Sequence, residues 1–134
     1  KALYVGVGGK ARKVKKVYVG VGGKARLVYT SYVAVSGINV IKSHVGGTYN
    51  LWEIEIAILP SNATNKSTSW DWAEGPTNSA FLQIYRGQPP TDTTCILWSF
   101  PNGGATGTLR CKTADGVVKL FYVKVNNGNF TVNY

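Results

Sequence analysis

The chain has 134 residues, of which 44% are apolar and only 16% are charged, and its formal net charge is +9. These values exclude an intrinsically disordered chain, which combines low hydrophobicity with high charge. No segment approaches the roughly 18 consecutive apolar residues of a membrane-spanning helix, so we expect no membrane partner. The 16 glycines and the many Val, Thr, Tyr and Trp residues favour strands joined by tight turns over helices. The composition therefore predicts an all-β protein.

The positive charge is concentrated at the start of the chain. Residues 1–30 contain eight of the 15 Lys and Arg residues and no Asp or Glu, whereas residues 31–134 are close to neutral. Such a block can bind nucleic acid, an acidic polymer or an acidic protein face, or can serve only as a solvated surface. We therefore predict two parts, a basic docking or assembly segment over residues 1–30 and a β-domain over residues 31–134.

The basic segment contains one sequence motif twice, as LYVGVGGKARKV at residues 3–14 and as VYVGVGGKARLV at residues 17–28. Each copy has a Gly-Gly pair between two alternating segments, which predicts a β-hairpin with a two-residue turn. An isolated hairpin is marginal in water, so this repeat must pack on the following domain, on another copy or on a partner. The turns predict the cross-strand pairs Leu3–Val14, Val5–Arg12, Val7–Lys10, Val17–Val28, Val19–Arg26 and Val21–Lys24.

The aromatic and cationic side chains of the repeat are the candidate docking residues. They also suit the stacking and charge contacts of a nucleic-acid platform. We do not expect nucleic acid as the partner, and nucleic-acid binding is the second alternative function. The glycines do not form a phosphate loop, because the GxxxxGK[ST] pattern and a following helix are both missing. The candidate docking residues are Tyr4, Lys10, Arg12, Lys13, Tyr18, Lys24 and Arg26.

About seven strands are predicted after the repeat, at the spacing of a β-sandwich or a flattened barrel. The clearest is LWEIEIAIL, in which Trp52 and three Ile residues alternate with Glu53 and Glu55. The predicted elements are a strand at 29–37, a strand at 51–59, a polar loop at 60–80, a strand at 81–86, a hairpin around Gly103, and a hairpin of 117–125 with 129–134.

The hairpin around Gly103 places Cys95 opposite Cys111 and Leu97 opposite Leu109, with all four side chains on one face. The two cysteines could form a cross-strand disulfide. Two reduced thiols packed as small apolar groups are the favoured alternative, since nothing else in the sequence signals secretion.

Catalytic chemistry finds little support in the sequence. Glu53 and Glu55 point the same way from one strand, which is typical of a solvated face rather than of a carboxylate pair flanking a cleft. His44 lies in KSHVGG beside a predicted turn and has no nucleophile motif to serve. A zinc site needs about four ligands, which a single His and two Cys do not supply. We therefore predict no enzyme, no catalytic residue, no metal site and no cofactor.

The WDWAEGP stretch within the predicted loop is the candidate for ligand recognition. Exposed Trp rings stack on sugars and anchor protein interfaces, so Trp70, Asp71 and Trp72 could contact a cell-surface glycan. This defines the first alternative function, a carbohydrate-binding or host-adhesion module. The competing possibility is that one Trp turns inward and fills the core.

The phrase YVGVGGKARKVKK resembles short tandem repeats in structural proteins of tailed phages and prophages of Gram-positive bacteria. The shared pattern is an aromatic residue, V/I-G-V/I, a Gly-rich turn and K-A-R/K-K-V, and it covers residues 3–29. The resemblance implies a non-enzymatic virion protein of the tail, fibre, baseplate or head surface, assembled in the bacterial cytoplasm. Its partners would be other virion proteins and copies of itself. Residues 1–30 would anchor the protein, and residues 31–134 would project from the particle.

Overall fold

The computed structural model describes residues 3–46 and 50–134, and of residues 28–30 it describes the backbone only. Every regular element in these ranges is a β-strand, and each strand pair is antiparallel. The all-β prediction is therefore confirmed. The chain divides into two compact units, which we call unit 1 (Lys1–Val33) and unit 2 (Ala34–Tyr134).

Unit 1 consists of two separate hairpins. Strands β1 (Tyr4–Val7) and β2 (Lys10–Lys13) form the first, and β3 (Lys16–Val21) and β4 (Lys24–Thr30) form the second. Both glycines of each turn have positive φ, 58° and 76°, which is the requirement of a type I′ turn and explains the Gly-Gly pairs.

The cross-strand pairs predicted from the turns are confirmed next to them. Val5 faces Arg12 and Val7 faces Lys10, and the second hairpin repeats this pattern. The predicted pair of Val17 with Val28 is wrong, because Val17 faces Tyr29. The ladder shifts between Val17 and Tyr18, where β4 accommodates one extra residue as a β-bulge does.

Unit 2 contains two four-stranded sheets. The first sheet has the strand order β5-β6-β9-β8, and the second has the order β12-β11-β10-β7. The strands are β5 (Gly37–Val45), β6 (Leu51–Leu59), β7 (Thr68–Glu74), β8 (Leu82–Ile84), β9 (Thr94–Ser99), β10 (Gly104–Thr113), β11 (Val118–Asn126) and β12 (Asn129–Asn133).

One hydrophobic core lies between the two sheets. Strands β6 and β9 contribute Ile54 and Leu97 from the first sheet, and β10 and β11 contribute Leu109 and Phe121 from the second, all with no exposed surface. Alternate residues of β6, β9 and β11 are buried, as the period of two requires. Two open sheets that share one core make a β-sandwich, and the predicted fold class is confirmed.

Two sequence predictions about the strands are wrong. The segment around residues 31–36 carries no strand, and β5 begins only at Gly37. His44 lies next to the last residue of β5, where it faces Glu53, close to the connection to β6 as predicted. The polar loop over residues 60–80 contains strand β7, whose partner is β10.

The predicted hairpin around Gly103 is also wrong, because β9 and β10 belong to different sheets. Strand β9 lies between β6 and β8, so both of its hydrogen-bonding edges are occupied and the chain must cross to the other sheet. The four side chains that the predicted hairpin grouped together nevertheless share one environment, the hydrophobic core. Cys95 and Leu97 face the core from one sheet, and Cys111 and Leu109 face it from the other.

We expect Phe121→Ala to lower the free energy of unfolding by about 3–5 kcal/mol, as truncation of a fully buried Phe typically does. Phe121 has no exposed surface, and its ring lies 5.9 Å from the rings of both Trp70 and Tyr134. The matched control is its neighbour Tyr122, which is 55% exposed, so Tyr122→Ala should change stability by less than about 0.5 kcal/mol. Urea denaturation measures both, and equal losses would contradict the assignment of the core.

Candidate functional site

The side chains of unit 1 are exposed to solvent almost throughout. No residue of the described range 3–27 is buried, and Val5 and Val19 are 50% and 45% exposed. Cross-strand partners share a face, so each hairpin carries two valines and two cations together. We call this surface the cationic face, and its residues are Val5, Val7, Lys10 and Arg12 in the first hairpin and Val19, Val21, Lys24 and Arg26 in the second.

The opposite face of each hairpin carries the tyrosines. Tyr4 lies opposite Lys13 and is 59% exposed, and Tyr18 lies opposite Leu27 and is 55% exposed. Next to Tyr4 the face is flat, because Gly6 has no neighbouring atom within 4 Å of where a Cβ would stand. The predicted docking residues are thus divided between two faces and do not form a single cluster.

The structure places Trp70 and Trp72 on strand β7, and their prediction as exposed loop residues is wrong. They lie opposite Cys111 and Leu109 of β10, and both rings pack against the core. The Trp70 indole Nε1 donates a hydrogen bond of 2.9 Å to the carbonyl oxygen of Thr91. Both rings face inward because they alternate with Asp71 along one strand, which the sequence pattern W-D-W already contained.

Asp71 lies on the outward face of the second sheet and is held by Arg110. The Arg110 guanidinium donates two hydrogen bonds, from Nε to Oδ1 at 2.9 Å and from one terminal nitrogen to Oδ2. These bonds hold the pKa of Asp71 below its ordinary value of 3.8. The carboxylate is therefore engaged in a cross-strand ion pair beside the two inward Trp residues.

A second group of charges lies on the outward face of the first sheet. Lys42 Nζ lies 3.6 Å from Glu55 Oε2, and His44 Nε2 lies 3.8 Å from Glu53 Oε2. All four side chains belong to the paired strands β5 and β6. The two glutamates therefore belong to a partly exposed polar surface on which Glu55 faces a lysine and Glu53 faces a histidine, as expected for a solvated sheet face.

The sequence prediction missed an aromatic patch at the other end of this face. Trp98 lies on β9 between Leu51 and Gln83, and its ring centroid is 4.7 Å from that of Phe100 at an angle of 64°. The ring of Phe100 is 46% exposed, and Tyr85 completes the patch. The missed signal was alternation: if Cys95, Leu97 and Ser99 face inward, Trp98 must face outward.

The two cysteines are free thiols in the core. Burial raises the pKa of Cys95 to about 12 and that of Cys111 to about 11. Both residues are at most 1% exposed. Their thiols are thus protonated at neutral pH and serve as small apolar groups.

We expect neither thiol of the folded protein to react with N-ethylmaleimide at about pH 8, because both are buried and protonated. In guanidinium without reductant, both should react, and intact-mass spectrometry should show two adducts. A chain that shows no adduct in guanidinium would contain a disulfide. A chain labelled when folded would have an exposed thiol.

Among residues 3–46 and 50–134, no group of three or more His, Cys, Asp or Glu side chains is arranged to hold a metal ion. In the same ranges no helix is long and apolar enough to cross a membrane. Comparison of the chain with protein-family models, with curated proteins and with solved structures gave no match.

Proposed function

We propose that this chain is a structural, non-enzymatic component of a tailed-phage particle, anchored by the hairpins of unit 1 and displaying the β-sandwich of unit 2. One observation carries the proposal: residues 3–27 expose valines and cations together on the cationic face. The phage particle is proposed because the repeat motif of residues 3–29 resembles repeats of phage structural proteins.

The hairpins need a partner because they have no core of their own. A two-stranded hairpin is marginal in water, and unit 1 contains two of them in separate sheets. Fully burying one valine contributes about 1.5–3 kcal/mol, so covering Val5, Val7, Val19 and Val21 would stabilise a complex substantially. Docking and ordering of the hairpins would therefore occur together.

The charge of unit 1 favours an acidic partner. Residues 1–30 contain eight cations and no acid, so the cationic faces of two copies would repel each other. An acidic face of a different particle subunit would complement them. Copies of this chain can still associate through backbone edges, since each described hairpin pairs only two strands and leaves two edges available. In a symmetric particle, many such weak contacts add up by avidity.

We expect the double variant Arg12→Glu, Arg26→Glu to lose its association with phage particles, because it reverses one charge on each cationic face. Lys66→Glu, Lys112→Glu makes the same change in net charge at exposed positions of unit 2 and should associate like the wild type. The measurement is the fraction of each variant that co-sediments with particles purified from cells expressing the chain and its phage.

Deletion of residues 1–30 provides a second form of this test. The remaining chain should retain the thermal unfolding of the sandwich, because every described core residue lies in unit 2, and it should be absent from particles. The proposal is wrong if the deleted chain is found in particles, or if both charge variants co-sediment equally. Binding to double-stranded DNA that falls steeply with salt and depends on Arg12 and Arg26 would support the nucleic-acid alternative instead.

A further inference from the structure

Two hollows adjoin on either side of the edge strand β8. The first has a volume of about 290 Å³ and is lined by Gln83, Tyr85, Arg86, Trp98 and Phe100. The second has a volume of about 340 Å³ and includes the ring of Trp72. Gln83 and Arg86 line both hollows, so the two adjoin along β8, with Trp98 in the first and Trp72 in the second, and we call them together the depression.

The first hollow presents rings on a rigid support. Trp98 is fixed within β9 between two neighbouring strands, and the Phe100 ring meets it at 64°. The Tyr85 ring lies over the backbone of Gly87, where an added Cβ would come within 2.6 Å of it. Rings held in this way bind with a smaller loss of conformational entropy than mobile loop residues do.

The polar groups of the depression are few and converge on β8. The Gln83 side chain donates from Nε2 to the carbonyl oxygen of Ser79 at 2.8 Å, which fixes its amide and leaves Oε1 as an acceptor. Arg86 is exposed and presents a fork of N–H donors. Acceptor and donors thus stand beside aromatic faces, an arrangement that suits a ligand with both apolar and hydroxylated surfaces.

We propose that this depression binds an oligosaccharide. A pyranose ring has an apolar C–H face that stacks on an indole and a hydroxylated rim that needs donors and acceptors. One ring would stack on Trp98, the chain would cross β8 beside Gln83 and Arg86, and the next ring would approach Trp72. A nucleic acid fits less well, because Arg86 is the single cation among the described residues that line the two hollows.

This site differs from the sequence hypothesis about Trp70, Asp71 and Trp72. Trp70 packs against Phe121, and Asp71 is paired with Arg110 on the other sheet face. Only Trp72 of that group lines the depression. The proposal is independent of phage assembly, since it concerns unit 2 alone and can be tested in solution.

The test uses the full chain on an array of pyranose oligosaccharides of one to about six rings, followed by calorimetric titration of the best ligand. Trp98→Ala should weaken binding roughly ten-fold or more, since it removes the stacking surface. Arg86→Ala should weaken it by a smaller factor. Tyr122→Ala is the matched control, because Tyr122 is an exposed ring on the opposite sheet, and it should bind like the wild type. Circular dichroism verifies that each variant is folded.

Two further results are expected. An oligosaccharide of two or three rings should bind more tightly than the single sugar, because it can reach from one hollow to the other past the shared residues Gln83 and Arg86. The variant Arg12→Glu, Arg26→Glu should bind the glycan normally, which separates failure of this proposal from failure of particle docking.

The proposal is overturned if no array member binds, or if folded Trp98→Ala binds as the wild type does. It is also overturned if Trp98→Ala converts an oligomer to a monomer in light scattering without affecting sugar binding, since the patch would then cover a second copy. Single-stranded DNA bound through Trp98 in place of sugar would overturn it as well.

Discussion

The packing of alternate side chains from two sheets against each other is the interaction on which the rest of unit 2 depends. Ile54, Leu97, Leu109 and Phe121 lose all their exposed surface in this layer. Because side chains alternate, each strand that buries one set of residues must turn the other set outward. The outward positions of Trp98 and Asp71 therefore follow from the core, and the surface of the sandwich is determined by what its interior requires.

The side chains of the unit 1 hairpins also alternate with a period of two, but within the described residues no second sheet covers their valines. Its valines alternate as the core residues do, yet about half of the surface of Val5, Val7, Val19 and Val21 stays exposed. Each of these valines faces a Lys or Arg across the hairpin, which opposes the approach of another strongly basic surface. The two units thus use one strand pattern with different results, because a second sheet covers the apolar residues of the sandwich, whereas the valines of the hairpins stay about half exposed.

Sequence reasoning succeeded where local geometry decides the structure. The Gly-Gly turns determine the pairing next to them in both hairpins, and the turn at Asn126–Asn129 does the same for β11 and β12, where Val123 pairs with Val132 and Val125 with Phe130. The sequence predictions were wrong where the order of strands in a sheet decides which strands pair. The segment between Cys95 and Cys111 has the composition of a hairpin, but neighbours from distant parts of the chain occupy both edges of β9. No local pattern contains that information.

The candidate site shows the same division between local and long-range information. Alternation sets Trp98 opposite to Cys95 and Leu97 and keeps Trp70 and Trp72 on one face, so these relations were available from the sequence. The pairing of β7 with β10 decides that the face of Trp72 is the inward one. The approach of Trp98 and Trp72 to one depression depends on β8, a strand of three residues at the sheet edge, whose pairing with β9 brings Gln83 beside Trp98. Gln83 lies opposite Trp98 and lines both hollows, whereas the buried Leu82 lines only the hollow that contains Trp72. Because Gln83 lines both hollows, the short edge strand β8 brings the ring of Trp98 and the ring of Trp72 into one candidate site.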